Sequence, residues 1–245
     1  MDTPSEYRPS RMAVEGTYNF REAVPGLLAP GRLYRSDALH RLTPAGRAAL
    51  RELGIARVVD LRSPFDRRLS GRDRLRGVGA EYVSIPMRGL RPKLDPSGLT
   101  LRGVYHDLLA DHAAEVGTAI TAVADAPGPV LVHCTAGKDR TGLVTALVLL
   151  AIGLDEDGVV ADFAASADNL AGEWTQRMLR RARWFRVTVT DDLREIMAGS
   201  PEAALRDTLR WIDVEYGGVG AYLEQAGVGP DVVERLRETY GRGPQ

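Results

Sequence analysis

Across 245 residues the chain has one cysteine, Cys134, so no disulfide framework can hold it together and a reducing compartment suits it. Lysine is almost as rare: Lys93 and Lys138 are the only two among 32 basic residues. Four histidines are present, and His40, His106 and His112 do not fall into zinc-ligand spacing with Cys134, so no metal is expected. The longest apolar stretch, Gly142 to Leu154, falls short of the ~20 residues of a membrane helix. Met1 to Ser10 lacks the apolar core of a cleaved signal. These absences set the expectation of a cytoplasmic protein without stable membrane association, save for export without a cleaved signal. A net charge of −1 gives no bulk attraction for nucleic acid, so no nucleic-acid partner is expected. The charge is uneven, however. Residues 1–100 carry 18 basic against 11 acidic side chains and residues 101–245 carry 14 against 22, so the first part can gather anionic substrates.

What the chain does have is one stretch in which its rare residues meet. Residues 129–142 read Pro-Val-Leu-Val-His-Cys-Thr-Ala-Gly-Lys-Asp-Arg-Thr-Gly. Pro129 to Val132 is a short run of β-formers ending at His133, and Leu143 to Leu150 is apolar enough for a buried helix. The polar loop between them holds Cys134 and, six positions on, Arg140. A loop entering a helix N-terminus aims several backbone N–H groups at one point and adds the positive end of the helix dipole. Phosphoryl oxygens fit such a nest. Arg140 offers a fork of donors to two of them, and the same field stabilises the Cys134 thiolate as a nucleophile. Thr135, Ala136 and Gly137 supply loop backbone around the anion, and Thr141 can donate its hydroxyl to the sulfur. Lys138 adds charge beside the phosphate, and Arg62 is a candidate for its rim. His133 reads as a support that orients the loop and favours the thiolate. A lone free cysteine is more often a buried structural one, but the histidine, glycines, threonine and arginine at these spacings outweigh that reading.

HCTAGKDRTG resembles the signature of the cysteine-dependent protein tyrosine phosphatases, and more narrowly that of their bacterial and fungal tyrosine/serine phosphatase group. Asn19-Phe20-Arg21, the run from Gly31 to Leu39, Val59 to Ser63, and Glu215 to Val219 are similar to other motifs of the group, so the likeness covers most of residues 17–240. It departs after Arg21, where Glu22-Ala23-Val24-Pro25 replaces the usual Asp-Leu-Gly-Gly. The resemblance implies a phosphomonoester hydrolase of protein-tyrosine or dual-specificity type, a cysteinyl-phosphate intermediate and no cofactor. Its partner would be a phosphorylated protein or a small phosphate ester, with a phosphoinositide or a sugar or nucleotide phosphate as the alternative. The leaving oxygen needs a proton, and no Trp-Pro-Asp element is present to give it. Asp139, inside the loop, and Asp60, at the end of its strand, stand equal for that role. A phosphate-binding module without catalysis and a rhodanese-like sulfurtransferase are the other classes that fit. Intact Cys134, Arg140 and Thr141 oppose the first, and the length of the loop opposes the second.

Strands alternating with helices predict an α/β fold, a mostly parallel sheet flanked by helices. Strands are expected at Leu33 to Arg35, Ala56 to Leu61, Tyr82 to Pro86 and before Cys134. Helices are expected from Pro44 to about Leu53, Tyr105 to Ala124, after Arg140, from Asp155, from Leu170 to Arg186, after Ser200-Pro201, and twice near the end. Arg62 to Gly79 reads as an arginine-rich loop and Pro92 to Gly98 as a turn. The length suits one domain over residues 1–245, with a loose arm at 1–16 and a helical, lid-like insertion at about 155–200.

Overall fold

The chain is described by a computed structural model over residues 10–88, 100–184 and 199–241. Three short segments become interior strands, two of them built on valine and leucine and the third, Leu-Tyr-Arg-Ser, buried with its arginine paired to a carboxylate. They are β2 (Leu33–Ser36), β3 (Arg57–Arg62) and β5 (Val130–His133). With β1 (Arg21–Glu22) and β4 (Glu81–Met87) they form a five-stranded sheet in the order β1-β2-β5-β3-β4. Only β1 runs antiparallel; β5 lies parallel between β2 and β3, with Val130 level with both Leu33 and Arg57. The residue following β5 is therefore flanked by the carboxyl ends of two neighbours, where sheets of this kind bind ligands.

Helices cover both faces. Helix α1 (Pro44–Glu52) begins as expected, with the Thr43 hydroxyl accepting from the Gly46 N–H. The arginine-rich loop holds a helix instead, α2 (Pro64–Ser70), because Ser63 and Asp66 cap it reciprocally. The single helix expected from Tyr105 to Ala124 breaks at His112 into α3 (Leu101–Asp111) and α4 (Ala113–Ala124). Helix α5 (Asp139–Ala151) is buried on nearly every side, as its apolar run from Leu143 to Leu150, broken only at Thr145, requires. Next come α6 (Glu156–Leu170), α7 (Glu173–Trp184), α8 (Glu202–Tyr216), α9 (Val219–Gln225) and α10 (Pro230–Tyr240). Gly172, in the left-handed region, separates α6 from α7, so the helix expected from Leu170 is shorter and Phe185 and Arg186 lie outside the described residues. The turn expected at Pro92 to Gly98 lies outside them as well.

Two further expectations change. Residues 10–16 are not a loose arm: the Met12 N–H bonds the Phe20 carbonyl, and Val14 is buried with Phe20 and Leu39. Helix α6 is no part of a lid, because Val159, Val160 and Phe163 sit in the main core beside α5. Among the described residues of 155–200, α7 is the helix that lies over the loop side, with Trp174 packed on Ala136 and Leu170.

The core also sets a hard limit at Gly117. A Cβ there would lie 1.9 Å from the Ala226 carbonyl oxygen at the end of α9. Alanine in mid-helix is worth ~1 kcal/mol more than glycine, but a backbone collision costs about 1–3 kcal/mol or more. Gly117→Ala should lower stability in a urea titration by about 1–2 kcal/mol; a gain would show that α4 and α9 do not meet this closely.

Candidate active site

Strand β5 delivers Cys134 to the edge of the sheet, and α5 begins five residues later at Asp139. The intervening turn lies against the end of β2. Gly137 has φ +67, and a Cβ on it would sit 2.2 Å from the Ser36 carbonyl oxygen, so glycine alone fits.

The loop's carbonyls are held outward. Asn19 Nδ2 donates to the carbonyls of Ala136 (3.0 Å) and Gly137 (3.1 Å), Arg35 Nη2 to that of Gly137 (2.9 Å), and the Ala38 N–H to that of Thr135 (3.2 Å). In a trans peptide the N–H points opposite to the C=O, so the N–H groups of Ala136, Gly137 and Lys138 face inward as an anion nest. Arg35 is itself anchored: its Nη1 lies 2.5 Å from Asp162 Oδ2, while Arg21 Nε lies 3.3 Å from Oδ1 of the same carboxylate. Arg21 also donates to the Asp162 carbonyl (2.8 Å), to Ser166 Oγ (2.9 Å) and to Asn19 Oδ1. Burial alone would raise the Asp162 carboxyl; the two guanidiniums outweigh it and hold the group below its usual range.

Arg140 is buried and oriented by four acceptors. Nη1 donates to Asp66 Oδ2 (2.7 Å) and to the carbonyls of Met87 (3.1 Å) and Leu61 (3.3 Å), and Nη2 to Thr135 Oγ1 (3.2 Å). Asp66 is thus a site residue that the sequence reading missed. Its signal was present in Ser63-Pro64-Phe65-Asp66, a capping box that also marks the unexpected α2. Burial pushes the Cys134 thiol up, but the Arg140 charge and the Thr141 hydroxyl and N–H bring it below its ordinary value, against a smaller opposing effect of Asp139. The Thr141 hydroxyl has no other partner among the described residues, which leaves it to the sulfur.

Beneath Cys134 lies a charged layer almost closed to solvent. Arg62 binds Asp60 through Nε (2.9 Å) and Nη2 (2.8 Å), Asp73 through Nη2 (2.8 Å), and Ser70 and the Gly71 carbonyl through Nη1 (3.1 Å each). Its donors are taken and its side chain is wholly buried, so Arg62 is not at the rim of a bound phosphate as expected. Asp60 is equally buried. Burial would raise its carboxyl, but His133, Arg62 and the Tyr82 hydroxyl (2.6 Å) hold it far below the usual range. Asp60 has no exposed surface and both of its oxygens are engaged by Arg62 and the Tyr82 hydroxyl, so no leaving group reaches it as it stands. His133 Nε2 lies 3.0 Å from Asp73, and Nδ1 lies 3.3 Å from the Cys134 carbonyl oxygen. Burial lowers the imidazole, but Asp73 and Asp60 lift it to about 9, which makes it a cation directly before the thiolate. Asp60, Asp73 and His133 bring three possible ligand atoms within 4.8 Å of one another, yet the Arg62 guanidinium already binds both carboxylates.

Lys138 also turns inward. Its Nζ donates to the Gly199 carbonyl (2.6 Å) and lies 3.2 Å from Asp139 Oδ1, so it braces the loop instead of meeting a substrate. Asp139 accepts from the Tyr105 hydroxyl (2.8 Å) and keeps 22% of its side chain exposed. Of the two carboxyls weighed for proton transfer, it alone can be reached from solvent.

The buried imidazolium makes a pH prediction. The folded pKa of about 9 exceeds the ordinary ~6.5, so its contribution is complete below ~6.5 and is lost as pH rises through 9. Cys134 acts in the opposite sense, because its folded pKa is lowered. In Cys134→Ser protein, where that effect is gone, unfolding free energy should fall by about 2–3 kcal/mol between pH 6.5 and 9.5. A level profile in denaturant titrations would mean that the ring is neutral.

A family model described as "Tyrosine phosphatase family" matches residues 12–242. The triple specificity protein phosphatase PtpB of Mycobacterium tuberculosis is 31% identical, over 91% of this chain and 96% of its own. A tyrosine-protein phosphatase of Nostoc commune is 27% identical, over 85% of this chain and 74% of its own. Among solved structures, P. aeruginosa TpbA is a looser likeness, 22% identical with a TM-score of 0.44, over 80% of this chain and all of its own.

Proposed function

The chain belongs to the tyrosine phosphatase family, and on that premise we propose that it hydrolyses phosphomonoesters of protein tyrosine or dual-specificity type through a cysteinyl-phosphate intermediate. The observation that carries this reading is the pairing of a thiol of lowered pKa with a fixed Arg140, in a loop whose peptide N–H groups converge on the sulfur side. The Cys134 thiolate attacks phosphorus, the S–P bond forms, and the P–O bond to the leaving alcohol breaks. Arg140 and the N–H groups of Ala136, Gly137 and Lys138 bind the equatorial oxygens, where charge is stabilised without reorganisation. Asp139 gives its proton to the departing oxygen. In the second half it takes a proton from water as that water attacks phosphorus; the S–P bond breaks, and inorganic phosphate leaves with the thiolate restored. The Thr141 hydroxyl donates to that thiolate and eases its departure.

Asp60, Asp73, Arg62 and His133 act from below as positioning groups, and Asp66 keeps Arg140 in the plane of the incoming phosphate. A catalyst that depends on one free thiolate fits a reducing compartment, which supports a cytoplasmic site of action for a single catalytic domain.

Two variants test the assignment. Cys134→Ser should release no phosphate from a phosphotyrosine peptide or from p-nitrophenyl phosphate. Asp139→Asn should lose about 10²–10³-fold in kcat on an alkyl phosphate, whose leaving group needs the proton, and far less on p-nitrophenyl phosphate. Equal losses on both esters would remove Asp139 from proton transfer while leaving the thiolate reading intact.

A further inference from the structure

Beside the loop lies a cavity of about 450 Å³ whose walls are strongly basic. Arg41 and His40 line it from the segment between β2 and α1, Arg177, Arg180 and Arg181 line it from α7, and Thr135 joins it to the nucleophile. Thr135 directly follows Cys134, and its hydroxyl accepts from Arg140, so the cavity adjoins the nest described above.

Several of these cations lack an anionic partner. Arg180 makes no hydrogen bond or ion pair among the described residues. Arg41 lies 5.8 Å over the Tyr18 ring, and its Nη1 is buried with no hydrogen-bond partner. Arg181 donates to the Leu69 carbonyl, and Arg177 faces Glu173 at a long 3.5 Å. Among the described residues, the only carboxyl lining the cavity is Asp37. Its Oδ1 is taken up by the N–H groups of Tyr18 (2.8 Å) and Asn19 (2.9 Å). Burial raises Asp37 to about 6, against the lowering effect of those N–H groups. A bound anion would push it further toward its neutral form. His40 Nδ1 is also buried without a partner.

Four guanidiniums around one small volume repel one another, and the two described carboxyls near them, Asp37 in the wall and Glu173 beside Arg177, do not offset them. Their forks suit a tetrahedral oxyanion. We propose that this cavity is a second anion subsite, which takes a second phosphate group of the substrate whose first phosphate is attacked by Cys134. The proposal rests on the phosphatase reading for the first phosphate and adds a preference for esters that carry two such groups close together. Part of that selectivity comes from α7, so the helix acts as a specificity element.

The test compares a benzenediol bisphosphate with phenyl phosphate. Wild-type kcat/KM should favour the bisphosphate by about tenfold, the worth of one charge-assisted hydrogen bond, well above the statistical factor of two. In Arg41→Gln/Arg180→Gln protein the ratio should fall to about two. A ratio near two in the wild type, or one that the variant leaves unchanged, would overturn the subsite. Arg180→Gln alone, at an exposed position, repeats the test if the double variant does not fold. Calorimetric binding of both compounds to Cys134→Ser protein separates the two readings. If neither compound is hydrolysed by the wild type, the phosphatase reading falls, and the binding ratio still decides for or against the subsite.

Discussion

A peptide loop can hold an anion only while its carbonyls are turned away, and free loops have no reason to keep them so. Here the restraint comes from two buried side chains, Asn19 and Arg35, which bind the carbonyls of Ala136 and Gly137 from outside. Their own positions depend on Asp162, a carboxylate with almost no exposure that faces Arg21 and Arg35 together. Ion pairs this deep contribute little net stability, because desolvation cancels most of the attraction, while removing one partner costs about 3–5 kcal/mol. The cluster is best understood as a geometric device. It converts the fixed distance between β1, β2 and α6 into the curvature of the loop that bears Cys134.

A second charged layer lies under the strand ends and works on the sulfur. His133, Asp60, Asp73 and Arg62 alternate in sign, so each ion is compensated while the layer still places an imidazolium next to the thiolate. Arg140 is treated similarly from above by Asp66 and two carbonyls. Cys134, the proposed nucleophile, thus sits between two sets of groups that are ordered without any substrate. This is the condition under which electrostatic stabilisation is strongest.

Much of this was legible in the sequence. The loop from Cys134 to Thr141, its strand and its helix could be read directly, because local spacing and apolar runs determine them. The roles of Arg62, Asp60 and Lys138 could not, since a charged residue beside a functional loop looks the same whether it faces solvent or a buried partner. Arg62 reads as a substrate contact until Asp73, eleven positions later, is seen to close on it. Asp66 was hidden for a different reason: the arginines around it masked a capping box in what looked like loop. Asp162 gave no local sign, because its partners are 127 and 141 residues away. The lid-like span was drawn too wide for a related reason, as helical periodicity cannot tell α6, which enters the core, from α7, which does not.

Those long separations bear on when reactivity appears during synthesis. Arg21 and Arg35 leave the ribosome early and Cys134 much later, but the carboxylate that orders both arginines comes later still, with Ser166 close behind it. Domains gain their non-local contacts only when the whole unit is present. A nascent chain that has exposed Cys134 but not α6 therefore carries an unremarkable thiol in an unformed loop. Activation of the thiol coincides with completion of the fold, so truncated products would be chemically inert toward phosphate esters and no more prone to oxidation than any free cysteine.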